Sequence, residues 1–157
     1  NYVLSLFGLG PFIWLGEPIL AKLSVVMVVL SWVIGANIIL YMSALLGIPK
    51  GIYEAAEIDG ANSFQKFFGI TLPLIMPTTL YILVMSTIGA FQIWEAIYFL
   101  TGGGPAYATT TFVYRVYQLG FLYFDFGAAS THAVVLFAII FMISYFQFKF
   151  LKKELEY

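Results

Sequence analysis

Three stretches of this 157-residue chain carry no charged residue: Leu23 to Pro49, Phe67 to Trp94 and Phe126 to Phe148. Each exceeds the ~20 residues that an α-helix needs to cross ~30 Å of hydrocarbon. A backbone amide in lipid has no water to bond, so it must pair within its own segment, and a helix achieves this. Composition points the same way. Charged residues are 10% of the chain and apolar residues 62%, where a soluble domain carries about 25% charged residues. The sequence therefore predicts an all-α membrane protein, a polytopic helical bundle with spans near 23–48, 72–94 and 126–148.

The connecting segments are read by their breakers and charges. Residues 1–22 hold Gly8, Gly10, Pro11, Gly16 and Pro18 among Tyr2, Phe12 and Trp14, which suits an external interfacial segment with aromatic anchors. The chain starts at Asn1 without a basic n-region or cleavage site. Its first residues read as the middle of a longer protein, and upstream spans are expected. Residues 95–125 form an external loop with short helical pieces, broken at Gly102–Pro105. Within it the aromatic stretch 112–124 around Arg115 suits an amphipathic surface helix. Lys50 and Lys66 lie in one loop and Lys149, Lys152 and Lys153 in the tail, against Lys22 and Arg115 on the other side. The positive-inside rule places the 49–68 loop and the 149–157 tail in the cytoplasm. Net charge is −1, and no basic stripe points to nucleic acid.

The 49–68 loop has an internal order. Pro49 suits a helix start, Gly60 suits its close, and Asn62 with Gln65 forms a capping-box pattern for a second short helix. The small Ala55 and Ala56 allow a partner to approach. Glu54, Glu57 and Asp59 offer acceptors, and Gly60 permits a turn that a side chain would obstruct. Such a helix suits a groove on another protein.

The residues Glu54-Ala55-Ala56, then Gly60 and Ala61, then Ile70-Thr71-Leu72-Pro73 with nine residues between Gly60 and Ile70, resemble the E-A-A-x3-G-x9-I-x-L-P signature of permease subunits in binding-protein-dependent ABC importers. The wording Ile58-Asp59-Gly60-Ala61, the run Tyr98 to Pro105, the Thr109–Thr111 triplet and Gly127-Ala128-Ala129-Ser130 look most like carbohydrate-uptake permeases of the maltose, lactose and glycerol-phosphate type. The resemblance covers the C-terminal half to two-thirds of such a protein. It implies a plasma-membrane pathway subunit with two cytoplasmic ATPase subunits, a second permease subunit and an extracytoplasmic solute-binding protein as partners. Coupling to the ATPase is implied for Glu54, Ala55, Ala56, Asp59, Gly60 and Ala61. ATP and Mg would be bound by that partner, and this chain would hold no cofactor.

The residues themselves give no sign of an enzyme. Gly102–Gly104 lacks the Lys and Ser/Thr of a phosphate loop. There is no cysteine and one histidine, His132, which reads as packing or hydrogen bonding within the bundle. A sugar path needs aromatic faces and polar groups in an apolar wall, and polar residues inside spans are costly enough to suggest function. The candidates are Trp32, Asn37 and Tyr41 on the first span, then Ser86, Gln92, Trp94 and Glu95 on and beside the second. The small residues at 127–130 suit close helix contact. The alternatives are a permease for a non-sugar solute, a membrane-embedded enzyme built on Glu95, Asp125 and His132, or a structural assembly subunit.

Overall fold

The computed structural model describes residues 1–152. Its elements are α1 (Tyr2–Ser5), α2 (Pro18–Leu46), α3 (Lys50–Ile58), α4 (Ser63–Lys66), α5 (Leu72–Phe91), α6 (Glu95–Leu100), α7 (Phe112–Tyr117) and α8 (Phe126–Lys152). Two short π-helical turns, Phe67–Thr71 and Gln118–Leu122, extend α4 and α7. Three helical stretches are long and apolar enough to cross a membrane: Pro18–Leu46, Ser63–Leu100 and Phe126–Phe150. α2 is apolar all round and leaves Leu30, Trp32 and Ile39 exposed, as expected of a helix whose surroundings are lipid or protein.

The helix bounds differ from expectation in four places. α2 begins at Pro18 instead of Leu23, because proline's fixed φ and missing N–H suit a first helical position. Lys22 does not interrupt it, since its apolar stem can lie along the helix while the ammonium reaches water. α5 ends at Phe91 instead of Trp94. Glu95, expected to end the span, opens α6, where a carboxylate favours the helix dipole. α4 runs without a gap through the Phe67–Thr71 turn into α5, so the loop's second helix is the root of the span. α8 continues through Lys149 to Lys152. The rest of the expected tail, 153–157, lies outside the described residues.

The described residues form two compact units, 1–31 with 91–136, and 32–90 with 137–152. In the first unit Val25, Ala96, Ile97 and Tyr114 form a buried cluster, flanked by Val29, Ile93, Trp94, Leu100 and Tyr117. Gly120 lies close to Ala129, whose Cβ would be 3.6 Å from a Cβ on the glycine. That contact uses one of the small residues singled out at 127–130.

In the same unit a set of threonines closes the glycine loop. Thr101 and Thr109 share a hydroxyl hydrogen bond of 2.7 Å, and Thr109 Oγ1 donates to Gly104 O at 2.8 Å. Thr110 Oγ1 donates to Gly103 O at 3.1 Å. Thr111 Oγ1 donates to Ile93 O at 2.9 Å and accepts from Tyr114 N at 3.3 Å, capping α7. The Thr triplet is thus the set of partners for carbonyls that the loop frees.

In the second unit, α5 bonds to two other spans. Asn37 Nδ2 on α2 lies 3.5 Å from Ser86 Oγ, and Gln147 Nε2 on α8 donates to Thr87 Oγ1 at 2.8 Å.

Gly103 has φ +85°, and a Cβ there would lie 2.8 Å from Thr110 Oγ1 and 2.9 Å from Tyr114 Cε1. Gly103→Ala combines backbone strain with overpacking, so thermal unfolding in detergent should show a loss of roughly 2–4 kcal/mol. Gly89→Ala is the control. It lies in α5 with nothing near its Cβ position, and it should stabilise by up to about 1 kcal/mol.

Candidate coupling loop and pathway residues

The loop's conformation follows from its terminators. Pro49 is extended, with ψ 130°, and serves as the N-cap of α3, so the helix begins one residue after it. At the other end Gly60 has φ +79°. Gly60 N donates to Glu57 O at 3.0 Å, and Ala61 N donates to Ala56 O at 2.9 Å. This pair of bonds is the Schellman closure. A Cβ on Gly60 would meet nothing within 4 Å. Glycine is therefore required by the left-handed backbone, and the steric obstruction expected from the sequence does not exist. Asn62 then caps α4: its Oδ1 accepts from Gln65 N at 2.9 Å, and Gln65 Oε1 accepts from Asn62 N at 2.8 Å.

α3 has two faces. Ala56 and Tyr53 are half-buried on the inner one, with Glu57 beside them at helical spacing. Two braces tie this face to the turn that follows α4. Lys66 Nζ lies 2.7 Å from Glu57 Oε1, and Tyr53 Oη lies 2.7 Å from Thr71 Oγ1. The hydrogen bond from Lys66, and then its charge, hold the Glu57 carboxyl below the usual carboxylate range. A lowered pKa means that this ion pair is fully formed above the ordinary glutamate pKa of ~4.3 and is lost as pH falls below it.

The outer face presents Glu54, Ala55, Ile58 and Asp59, all exposed. Ile58 is 88% exposed and Phe64, on α4, is 78% exposed. Of the six residues singled out for coupling, Glu54, Ala55, Asp59 and Gly60 are open to solvent. Ala56 and Ala61 are half-buried. Sequence reasoning missed Ile58 and Phe64. The available signal was an apolar residue four positions after Glu54, on the same helix face.

The expected pathway residues fall into two groups. In the second unit, Trp32 is exposed and Tyr41 half-buried, and Asn37 faces Ser86. Gln147 and Ser144 were missed there. Gln147 Oε1 and Ser144 Oγ are buried with no partner. An open groove of about 390 Å³ lies between α2 and α5, lined by Leu40, Ser43, Ala44, Pro77, Thr78 and Tyr81. None of the expected residues lines it. In the first unit, Gln92 and Glu95 are exposed beside the α5–α6 break. The Trp94 ring stacks on Tyr98 at 4.8 Å, and its buried indole N–H has no partner.

Of the three titratable groups named as an enzyme alternative, Asp125 and His132 bond within helix structure. Asp125 Oδ1 accepts from Ala128 N at 3.0 Å at the start of α8. His132 Nδ1 lies 2.9 Å from Ala128 O, one turn back along its own helix. Glu95 is exposed at the start of α6.

Comparisons with known proteins agree with the loop motif and the spans. The chain is 40% identical over 137 residues to a sn-glycerol-3-phosphate transport system permease protein of Brucella abortus, covering 86% of this chain and 47% of the relative. It is 42% identical over 125 residues to the same-named protein of Rhizobium meliloti, covering 79% and 43%. It is 38% identical over 143 residues to a trehalose/maltose transport system permease protein of Thermococcus litoralis, covering 89% and 47%. The chain spans about half the length of these curated relatives, 43% to 47%. Residues 2–156 match the profile of one family along nearly the whole chain, spans and loop together. The chain belongs to that family, the binding-protein-dependent transport system inner membrane components.

Proposed function

We propose that this chain forms part of the transmembrane pathway of an ATP-driven importer for a sugar or sugar-derived solute. The observation that carries this reading is α3. It is a short helix between two spans, closed at both ends and braced on its inner face. Its outer face combines exposed acidic, small and apolar side chains. Ile58 on this helix and Phe64 on the next are exposed, and such side chains fit a partner's apolar groove. That partner is a cytoplasmic ATPase subunit, one of two, with ATP and Mg held there and no cofactor in this chain. A second permease subunit and an extracytoplasmic solute-binding protein complete the assembly.

The mechanism is alternating access. ATP-driven closure of the ATPases moves α3 in the cytoplasm, and the attached spans reorient the pathway. Binding protein and ATP supply the free-energy difference between the two states. The solute class is supported by the names of the relatives, which transport sn-glycerol 3-phosphate and trehalose or maltose. Trp32, Asn37, Tyr41 and Ser86 in the second unit, and Gln92, Trp94 and Glu95 in the first, are the aromatic and hydrogen-bonding candidates for contact with the solute. The 149–157 tail shares the cytoplasmic side with the loop.

Co-purification with the ATPase subunits tests the coupling surface. Glu54→Lys and Ile58→Glu each alter the outer face without touching a brace, and each should reduce recovered ATPase at least about tenfold, as loss of an interface anchor does. Wild-type recovery in both variants would defeat the reading. A second prediction follows from Gly60, where the limit is the φ angle and space is open. Thermal stability and ATPase recovery should fall in the order Gly, Asn, Ala, Val, with Ala costing about 1–2 kcal/mol. Equal behaviour of Asn and Val would contradict that account. The solute class is tested by ATP-dependent uptake of labelled sn-glycerol 3-phosphate, maltose and trehalose into proteoliposomes holding the assembled importer. Uptake of none of them would remove the sugar reading.

A further inference from the structure

Two hydroxyls join α3 to the root of α5. Tyr53 Oη lies 2.7 Å from Thr71 Oγ1. Thr71 closes the Phe67–Thr71 π-turn and is 9% exposed, which makes it one of the few buried polar side chains among the described residues. Thr71 Oγ1 also lies 3.4 Å from Lys66 O. Either hydroxyl can donate in the shorter bond. The neighbouring Glu57–Lys66 ion pair has an exposed carboxylate, and such pairs are screened by salt and contribute little. The hydroxyl pair is sheltered from that screening.

Placement gives the pair its mechanical meaning. α3 is joined to α4 through Gly60, whose left-handed backbone faces open space. The two backbone bonds of that turn hold only the last turn of α3, so a load on the rest of the helix would bend it about that end. Tyr53 lies seven residues back along the helix, about 10 Å from that end at ~1.5 Å per residue. A bond at that distance opposes the bending. It also lands on the π-turn from which α5 begins, and single π-turns of this kind are frequent at functional sites.

We infer that the part-buried Tyr53–Thr71 hydroxyl pair is the positioning link through which a pull on α3 reaches α5. This rests on the proposed docking of α3 to an ATPase subunit.

The test uses the assembled importer in proteoliposomes, with a nitroxide at Leu74→Cys. Leu74 is half-exposed near the start of α5, and the chain has no other cysteine. The probe ligand is ATP with Mg and vanadate, and the readout is the ATP-dependent change in the nitroxide spectrum. Tyr53→Phe and Thr71→Val should keep the ATPase subunits at wild-type stoichiometry and keep ATP hydrolysis. Their spectral change should shrink about fivefold, the effect of one neutral hydrogen bond. Thr71→Ser retains the hydroxyl and should behave as wild type. A full spectral change in Tyr53→Phe and Thr71→Val overturns the link while leaving the docking reading intact. Loss of the ATPase subunits in those variants also overturns it, since the pair would then only hold the docking helix in shape. A Thr71→Ser variant as impaired as Thr71→Val overturns the role of the hydroxyl. Absence of ATPase subunits from the unsubstituted complex defeats the docking reading and the link with it.

Discussion

Hydrocarbon offers a backbone amide nothing to bond, and the rest of this fold depends on that constraint. Where the chain leaves the helix, something takes over the freed groups. Asn62 and Gln65 cap each other's amides. The Gly60 turn passes two amide protons back to the last turn of α3. Thr109, Thr110 and Thr111 supply hydroxyls to Gly104, Gly103 and Ile93. These breaks are therefore stiff. A loop built this way holds its shape.

The 49–68 loop combines a turn and a brace. Gly60 adopts a backbone that other residues resist, and it gives α3 a sharp end close to the membrane. That closure fixes the end of α3 through two backbone bonds and leaves the rest of the helix to be held by other contacts. The inner face of α3 compensates by bonding forward to residues 66 and 71. The outer face is thereby left free of structural duty, and its side chains are available to a partner.

Much of this was legible in the sequence because it depends on local rules. Charge-free length marked the three spans, and Asn62 with Gln65 marked a capping box that the structure contains. Gly60 was found by the same logic, although the reason it must be glycine is its φ angle. What stayed hidden depends on partners distant in sequence. Tyr53 gives no sign that its hydroxyl meets Thr71, 18 residues on, and Gln147 none that it reaches Thr87, 60 residues away. Helix ends were misread where a charge was taken as a stop. Lys22 lies inside α2 and Glu95 starts α6, because a long stem or a helix dipole can accommodate a charge near a membrane boundary. The Thr109–Thr111 triplet was visible as a motif, but its function as a set of carbonyl partners needed the fold.

Polar residues inside spans can serve packing or passage, and α5 shows how the two overlap. Ser86 and Thr87 are adjacent, so they point about 100° apart around the helix. One meets Asn37 on α2 and the other meets Gln147 on α8. Interhelical hydrogen bonds in a bilayer average only ~0.6 kcal/mol, because the separated helices also find partners. The Asn37–Ser86 approach, at 3.5 Å, is long for a hydrogen bond. A solute hydroxyl inserted there would replace a weak bond with two shorter ones and leave no group unpaired. The Gln147–Thr87 bond, at 2.8 Å, offers no such gain, and breaking it would add a third orphan beside Gln147 Oε1 and Ser144 Oγ. Of the two contacts, the longer one is the easier to open, so its pairing with Ser86 holds Asn37 only weakly.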